Sequence, residues 1–194
     1  MATQPQARMT PEQFLEFERA SPEKHEYYQG EIYAMAGGSP WHALIAANLV
    51  RHLGNALDKR PCRVMTSDLR IRVSPAGLYT YPDVSVVCGD LQYVDKHKDT
   101  IENPLLLIEV LSPTTEAHDR GFKASLYRDL ASVQEYLFVS QTEARVEVHR
   151  RQANGQWLLL DFVGMDAVCE LTSVDCRIPL AGIFDKVDFE AAKG

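Results

Sequence analysis

The chain has 194 residues, 45% of them hydrophobic and 24% charged, which is the balance of a globular protein with room for a substantial core. A formal net charge of −7 argues against indiscriminate nucleic-acid binding but leaves room for a local basic groove. No apolar run is long enough to cross a bilayer, and Met1 to Met9 lack the apolar centre of a signal peptide, so a cytoplasmic location is expected.

Residues 1–9 are expected to be disordered. Thr10-Pro11-Glu12-Gln13 then opens a short helix, with Thr10 as N-cap, Pro11 in the first turn and Gln13 at the capping-box position. Phe14, Leu15 and Phe17 give this helix an apolar side. The run from Tyr27 to Tyr33 reads as a hairpin turning at Gly30. Gly37-Gly38-Ser39-Pro40 breaks the chain and caps a long helix at Ser39. Ile45, Leu49, His52 or Leu53, and Ala56 form its core-facing stripe.

Arg63–Met65 and Leu69–Val73 look like strands. In the second, Leu69, Ile71 and Val73 alternate with Arg70 and Arg72, giving one apolar and one basic face. A turn at Pro75-Ala76-Gly77 leads to a strand carrying Asp83. The polar stretch from Gly89 to Asn103 reads as a mobile flap. Leu105–Leu111 has the composition of a strand buried on both faces. Ser112 to Glu116 is a strand-to-helix switch with its own cap, and the helix runs to about Leu130. Strands follow at Glu135–Val139 and Arg145–Arg150, with further edge strands in Trp157–Phe162 and Cys169–Ile183. The whole reads as one α/β domain over residues 1–194, a mixed sheet flanked by helices, with an N-terminal helix and hairpin. Cys62, Cys88, Cys169 and Cys176 form no CxxC pair, so a structural zinc is not expected and they read as free thiols.

Glu109 stands out. Within Leu105–Leu111 a carboxylate must be protonated, paired with a cationic side chain or bound to a metal, because an unpaired charge in an apolar interior costs several kcal/mol or more. Asp83 occupies a similar setting in Tyr81–Val87. Alternation puts Asp83 with Ser85 and Val87 on one strand face and Glu109 with Leu107 and Leu111 on another. If the two strands are neighbours, both carboxylates can converge on one cation. Magnesium, with manganese as substitute, suits one or two carboxylates plus water and phosphate oxygens, and the lack of a His or Cys cluster argues against zinc. Downstream, Asp119, Lys123 and Tyr127 recur at i, i+4 and i+8 on one helix face beside an apolar row of Phe122, Leu126 and Leu130. Lys123 could then reach the same water or phosphate. Simpler readings stay open: Asp83 as a turn cap, Glu109 in a structural ion pair, Lys123 as the partner of Asp119. Glu31 can be a hairpin charge and His42 a core hydrogen-bonder. Arg70, Arg72, Arg145 and Arg150 are either solvated strand faces or phosphate contacts.

These residues carry a resemblance. Pro82-Asp83, Glu109 and a following lysine are similar to the active-site pattern of the PD-(D/E)xK phosphodiesterase superfamily. Gly30–Tyr33, Gly38–His42, Tyr81–Val84, Ile108–Thr115, Asp119, Lys123, Tyr127 and Gln134-Glu135-Tyr136 together resemble the Uma family of restriction endonucleases, from about Thr10 to about Ile183. The resemblance implies a nuclease-like fold with Asp83, Glu109 and the main-chain carbonyl of Val110 as metal ligands and Lys123 as catalytic lysine. Glu31, His42, Asp119, Tyr127 and Gln134 are possible additional site residues. One departure is plain: Leu111 stands two residues after Glu109, where the superfamily has lysine, so Lys123 must serve from the helix.

The expectation is a magnesium-dependent endonuclease that hydrolyses DNA phosphodiesters, acting as a homodimer or higher homo-oligomer and not at a membrane. Two alternatives remain: an inactive nuclease fold serving as a nucleic-acid-binding or interaction module, and a nucleotide phosphohydrolase.

Overall fold

The computed structural model describes residues 8–35, 37–73 and 77–193. The expectations for residues 1–7 and for Pro75 and Ala76 lie outside the described residues. Met9, expected in a disordered arm, donates its N–H to the Gly30 carbonyl at 3.1 Å, and its own carbonyl accepts from the Tyr27 hydroxyl at 2.9 Å.

Helix α1 (Pro11–Ala20) opens on the predicted capping box. Thr10 Oγ1 accepts from the Gln13 N–H at 3.3 Å, and Gln13 Oε1 accepts from the Thr10 N–H at 2.9 Å. Phe14 and Leu15 face inward, but Phe17 is exposed and Glu18 takes the buried position. Strands β1 (His25–Tyr28) and β2 (Glu31–Ala34) form the hairpin. Gln29 and Gly30 have φ of +48° and +95°, the two positive values a two-residue hairpin turn needs to match strand twist.

Helix α2 (Pro40–Leu57) starts with Ser39 Oγ accepting from the His42 N–H at 3.1 Å. Its buried stripe is Ile45, Leu49, Leu53 and Leu57; Ala56 points outward, and Leu53 takes the inner place that the sequence left between it and His52. There follow β3 (Cys62–Thr66), β4 (Arg70–Val73), β5 (Leu78–Thr80), β6 (Val84–Cys88), β7 (Thr100–Ile101) and β8 (Leu106–Leu111). The helical segment after β8 is not regular. It runs as α3 (Glu116–His118), a wider π-helical turn (Asp119–Lys123) and α4 (Ala124–Asp129). The chain closes with β9 (Glu135–Ser140), β10 (Arg145–Arg151), β11 (Trp157–Val163), β12 (Val168–Leu171), β13 (Cys176–Pro179) and α5 (Leu180–Ile183).

The α/β architecture matches the sequence reading, with the strands divided between sheets. A central six-stranded sheet has the order β11-β10-β9-β8-β6-β3, with β8 and β9 parallel and the other pairs antiparallel. The N-terminal hairpin starts a second sheet, β2-β1-β5-β4-β7, and β12-β13 form a separate ribbon. Even-numbered positions of β8, such as Ile108 and Val110, pack with the α2 stripe and the ribbon. Odd-numbered Leu107 and Leu111 pack with Ile71 and Leu78 of the second sheet and with Tyr127 of α4. Each such side chain contributes roughly 1.5–3 kcal/mol by burial. Because β8 is covered on both faces, Glu109 lies inside the molecule.

Three further expectations are corrected. The Gly89–Asn103 stretch is anchored and not a flap: β7 pairs with β4, Asp95 and Asp99 bind Arg19, and Asn103 bridges to Gln92 and Asp90. Cys62 and Cys88 are not thiols but form a disulfide, because β3 and β6 set them directly opposite each other. Cys169 and Cys176 are free and buried. Arg70 is buried, since α1 covers the strand face expected to be solvated; it bonds Thr100 Oγ1 at 2.8 Å and the Tyr81 hydroxyl at 2.9 Å and pairs with Asp99. Arg72 pairs with Glu102. Both guanidinium groups are thus paired within the protein, Arg70 buried and Arg72 partly exposed. Among the described residues no helix is long and apolar enough to cross a membrane.

Candidate active site

The β6–β8 register sets Val84 opposite Ile108 and Ser85 opposite Leu107. Continued by one residue it sets Asp83 opposite Glu109. The Val110 N–H donates to Asp83 Oδ2 at 2.7 Å, so the aspartate closes the end of the ladder. Directly opposed residues have Cβ atoms roughly 4.5–5.5 Å apart, close enough for two carboxylates to share one cation.

Glu109 is 4% exposed. Tyr127 donates its hydroxyl to Glu109 Oε1 at 2.5 Å, and Lys123 Nζ lies 3.5 Å from the same oxygen. Burial pushes the Glu109 carboxyl up to about 8; Lys123 opposes this, while Asp119 and Asp83 add repulsion. Lys123 is itself buried and stands between three acids: Glu26 at 2.8 Å, Asp119 at 3.1 Å and Glu109 at 3.5 Å. Burial alone would lower its pKa, but the attraction of Glu109, Glu26 and Asp119 outweighs that and holds it above the ordinary lysine value. The Tyr127 hydroxyl is raised well above its usual range by burial and by Glu109.

The π-helical turn shapes this arrangement. A straight α-helix turns about 100° per residue, so positions eight apart drift by about 80°. Lys123 and Tyr127, four apart, share a helix face and both reach the one Glu109 oxygen; the wider turn before them offsets the drift and keeps Asp119 on the same side, 3.1 Å from Lys123 Nζ.

Asp83 is the acid that meets solvent. It lines an open cleft of about 860 Å³ together with His42, Lys24, Arg51, Thr66 and Ser67. His42 Nε2 lies 3.2 Å from Asp83 Oδ2. Burial works to lower the His42 pKa, but its hydrogen bonds to Asp83 and to the Val110 main chain raise it overall. The close approach of His42 to Gly38, where a Cβ would lie 2.7 Å from the ring, leaves no room for a side chain at that position.

The other sequence candidates lie elsewhere. Glu31 is exposed on the outer strand of the hairpin and accepts from the Tyr33 hydroxyl at 2.6 Å. Gln134 precedes β9 and bonds Ala131 at 3.4 Å. The parallel β8–β9 register sets it level with Leu105, four residues or roughly 13 Å of strand from Glu109. Arg145 and Arg150 pair with Asp161 and Glu135. The sequence reading missed Glu26, the closest partner of Lys123. Burial tends to raise the Glu26 carboxyl, but His118 and Lys123 prevail and hold it at about 2. The available signal was a glutamate inside the short aromatic-rich run His25–Tyr28.

The donor set suits a hard divalent cation. Asp83 and Glu109 stand at opposed backbone positions, Asp83 bonded to His42 at the cleft and Glu109 bonded to Tyr127 in the interior, and Asp119 Oδ1 is buried without a hydrogen bond although Lys123 Nζ lies 3.1 Å away. Among the described residues no three His, Cys, Asp or Glu side chains already converge as a cage.

Relatives place the chain. It is 41% identical over 185 residues to an uncharacterised protein of Synechocystis, with 95% of this chain and 96% of that one covered. A second uncharacterised Synechocystis protein is 34% identical over 164 residues, covering 84% and 93%. The fold matches a crystal structure from Anabaena variabilis described as "a putative nuclease belonging to DUF820", with a TM-score of 0.73 at 20% identity over 91% of this chain and 97% of that one. Residues 11–177 match the model of the family described as "Putative restriction endonuclease", and the chain therefore belongs to that family, Uma2.

Proposed function

We propose that the protein is a magnesium-dependent endonuclease that hydrolyses DNA phosphodiester bonds. The observation that carries this reading is the opposition of Asp83 and Glu109 on neighbouring strands, with the buried Lys123 ammonium at the same carboxylate. Asp83, Glu109 and the Val110 carbonyl would hold the cation, which when bound supplies Lewis acidity toward a phosphate oxygen and activates water.

The chain's own groups do the rest. Asp83 presents its carboxylate to the cleft, where a phosphodiester can approach. Tyr127 fixes the orientation of Glu109 by its hydrogen bond to Oε1. Lys123 supplies a fixed positive charge beside the acids, in a water-poor setting where it stabilises charge developing on the phosphoryl group. His42, which lines the cleft beside Asp83, restrains its carboxylate and faces the incoming strand. Cutting both strands of a duplex calls for two such sites, so the acting species is a homodimer or higher homo-oligomer.

The test is cleavage of plasmid and oligonucleotide DNA by purified protein with Mg2+ or Mn2+. Asp83→Asn and Lys123→Met should each lower the rate by about 10²–10³-fold, the scale of losing a charge-stabilising group. Uncut DNA with either metal across varied substrates, or full activity in Asp83→Asn, would overturn the reading.

Two observations favour a second reading, a non-catalytic nucleic-acid-binding or interaction module: Leu111 replaces the superfamily lysine, and Lys123 sits closer to Glu26 than to Glu109. Retained partner binding without Mg2+ or Mn2+ uptake in calorimetry would select it.

A further inference from the structure

Glu26 is the acid for which the scheme above has no use. It projects from β1 of the second sheet, yet it is 7% exposed. The β1–β5 register, Tyr27 opposite Tyr79 and Tyr28 opposite Leu78, continues to bring Thr80 opposite Glu26. Thr80 Oγ1 accordingly donates to Glu26 Oε1 at 2.5 Å. On the other side His118 Nε2, from α3, lies 3.4 Å from Oε2. The carboxylate is thus fastened from two separate elements before it meets the lysine. Of the three acids around Lys123 Nζ, Glu26 is the nearest, at 2.8 Å against 3.1 Å for Asp119 and 3.5 Å for Glu109.

A lysine ammonium on a four-carbon stem has no preferred position of its own. Asp119 moves with it, being on the same π-helical turn, and Glu109 is bonded to Tyr127. Glu26 is the partner that comes from a different sheet and is itself pinned. We propose that Glu26 is the positioning residue for Lys123: fastened by Thr80 and His118, its carboxylate sets the ammonium beside Glu109 and Asp119 and ties the second sheet to the reaction centre. This rests on the nuclease reading for its consequence, though not for its geometry. Removing the Glu26 charge frees the ammonium to swing onto Glu109 and compete there with a cation.

The test reads the ammonium directly. In heteronuclear NMR of 15N-lysine protein without metal, Lys123 should give one ammonium resonance protected from solvent exchange, identified by its loss in Lys123→Met. In Glu26→Gln its exchange should quicken at least tenfold while the β8 backbone amides keep their protection. Mn2+ affinity by calorimetry should fall at least threefold. The single-turnover cleavage rate should fall ten- to a hundredfold with KM for DNA within twofold. Thr80→Val, which leaves Glu26 in place but unfastens it, should move each readout the same way by less. An unchanged ammonium resonance in Glu26→Gln overturns the proposal. If that variant does not fold, an unchanged resonance in Thr80→Val overturns it. If wild-type protein cuts no DNA, the nuclease reading falls alone, because the resonance still decides whether Glu26 holds Lys123.

Discussion

Glu109 and Glu135 lie on adjacent parallel strands, β8 and β9, and both are buried, but they are treated in opposite ways. Glu135 is saturated. Arg150 Nε reaches it at 2.6 Å, Thr172 donates from its N–H and hydroxyl at 3.3 Å each, and Ser173 donates from its N–H at 2.9 Å and its hydroxyl at 2.5 Å. This carboxylate staples the turn between β12 and β13 to the central sheet. Glu109 has one tyrosine, one shared lysine and two further acids facing it. A buried charge whose lone pairs are all answered is structural. One left among like charges has a deficit that a cation can fill.

The comparison breaks first at Glu135. Glu135→Ala strands Arg150 and the Thr172 and Ser173 donors, and should cost about 3–5 kcal/mol, the usual loss when one partner of a buried ion pair is removed. That is a fall in Tm of roughly 6–20 °C for a chain of this size. A shift of a degree or two in thermal unfolding would mean that the staple contributes little.

The same kind of change at Glu109 should act in the opposite sense. Glu109→Gln keeps the shape and removes a charge that the fold disfavours, so metal-free protein should melt at the same or a higher temperature at pH 9. DNA cleavage should disappear in the same variant. A lower Tm at pH 9 would put Glu109 in the structural class with Glu135.

The two ends of the pH scale sharpen this contrast. Glu109 in the fold is raised from 4.5 to about 8, so the stability it contributes is full below pH 4.5 and is lost as pH rises through 8. Glu26 is lowered from 4.5 to about 2, so its contribution is full above pH 4.5 and is lost as pH falls through 2. Metal-free melts should therefore fall at both ends, and Glu109→Gln should flatten only the alkaline limb. A profile unchanged above pH 5 in that variant would refute the assignment.

The smallest effect is expected at the rim of the cleft. Ser39→Ala removes the cap of α2 and its bond to Gln141, costing about 1 kcal/mol. A neutral outcome in denaturant titration would show that Pro40 and packing alone fix the start of that helix.

Much of the site was legible without coordinates. Asp83 and Glu109 could be paired because each interrupts an apolar strand and alternation fixes which neighbours share its face. Lys123 and Tyr127 could be aligned with Asp119 from helical spacing, although the π-helical turn that sharpens the alignment leaves no mark in the composition of Asp119–Lys123. The capping box of α1, the Ser39 cap of α2, the Gly30 turn and the α2 stripe were likewise local signals. Glu31 came into view only through the family resemblance, its place after the turn glycine marking it as a hairpin charge, and Glu26 was passed over; the turn sends β2 to the outer edge, where Glu31 is exposed, while β1 goes inward and buries Glu26.

The residues themselves determined the class of elements, the two strand-borne acids and the helical lysine, since periods of two and of 3.6 are written within a few positions. Only the tertiary structure decided that Glu26 grips Lys123, that Cys62 meets Cys88 and that Arg70 is enclosed under α1. Each of those depends on which strands become neighbours across tens of residues, and that pairing follows from burying the shared apolar faces of the whole chain, which no single segment encodes.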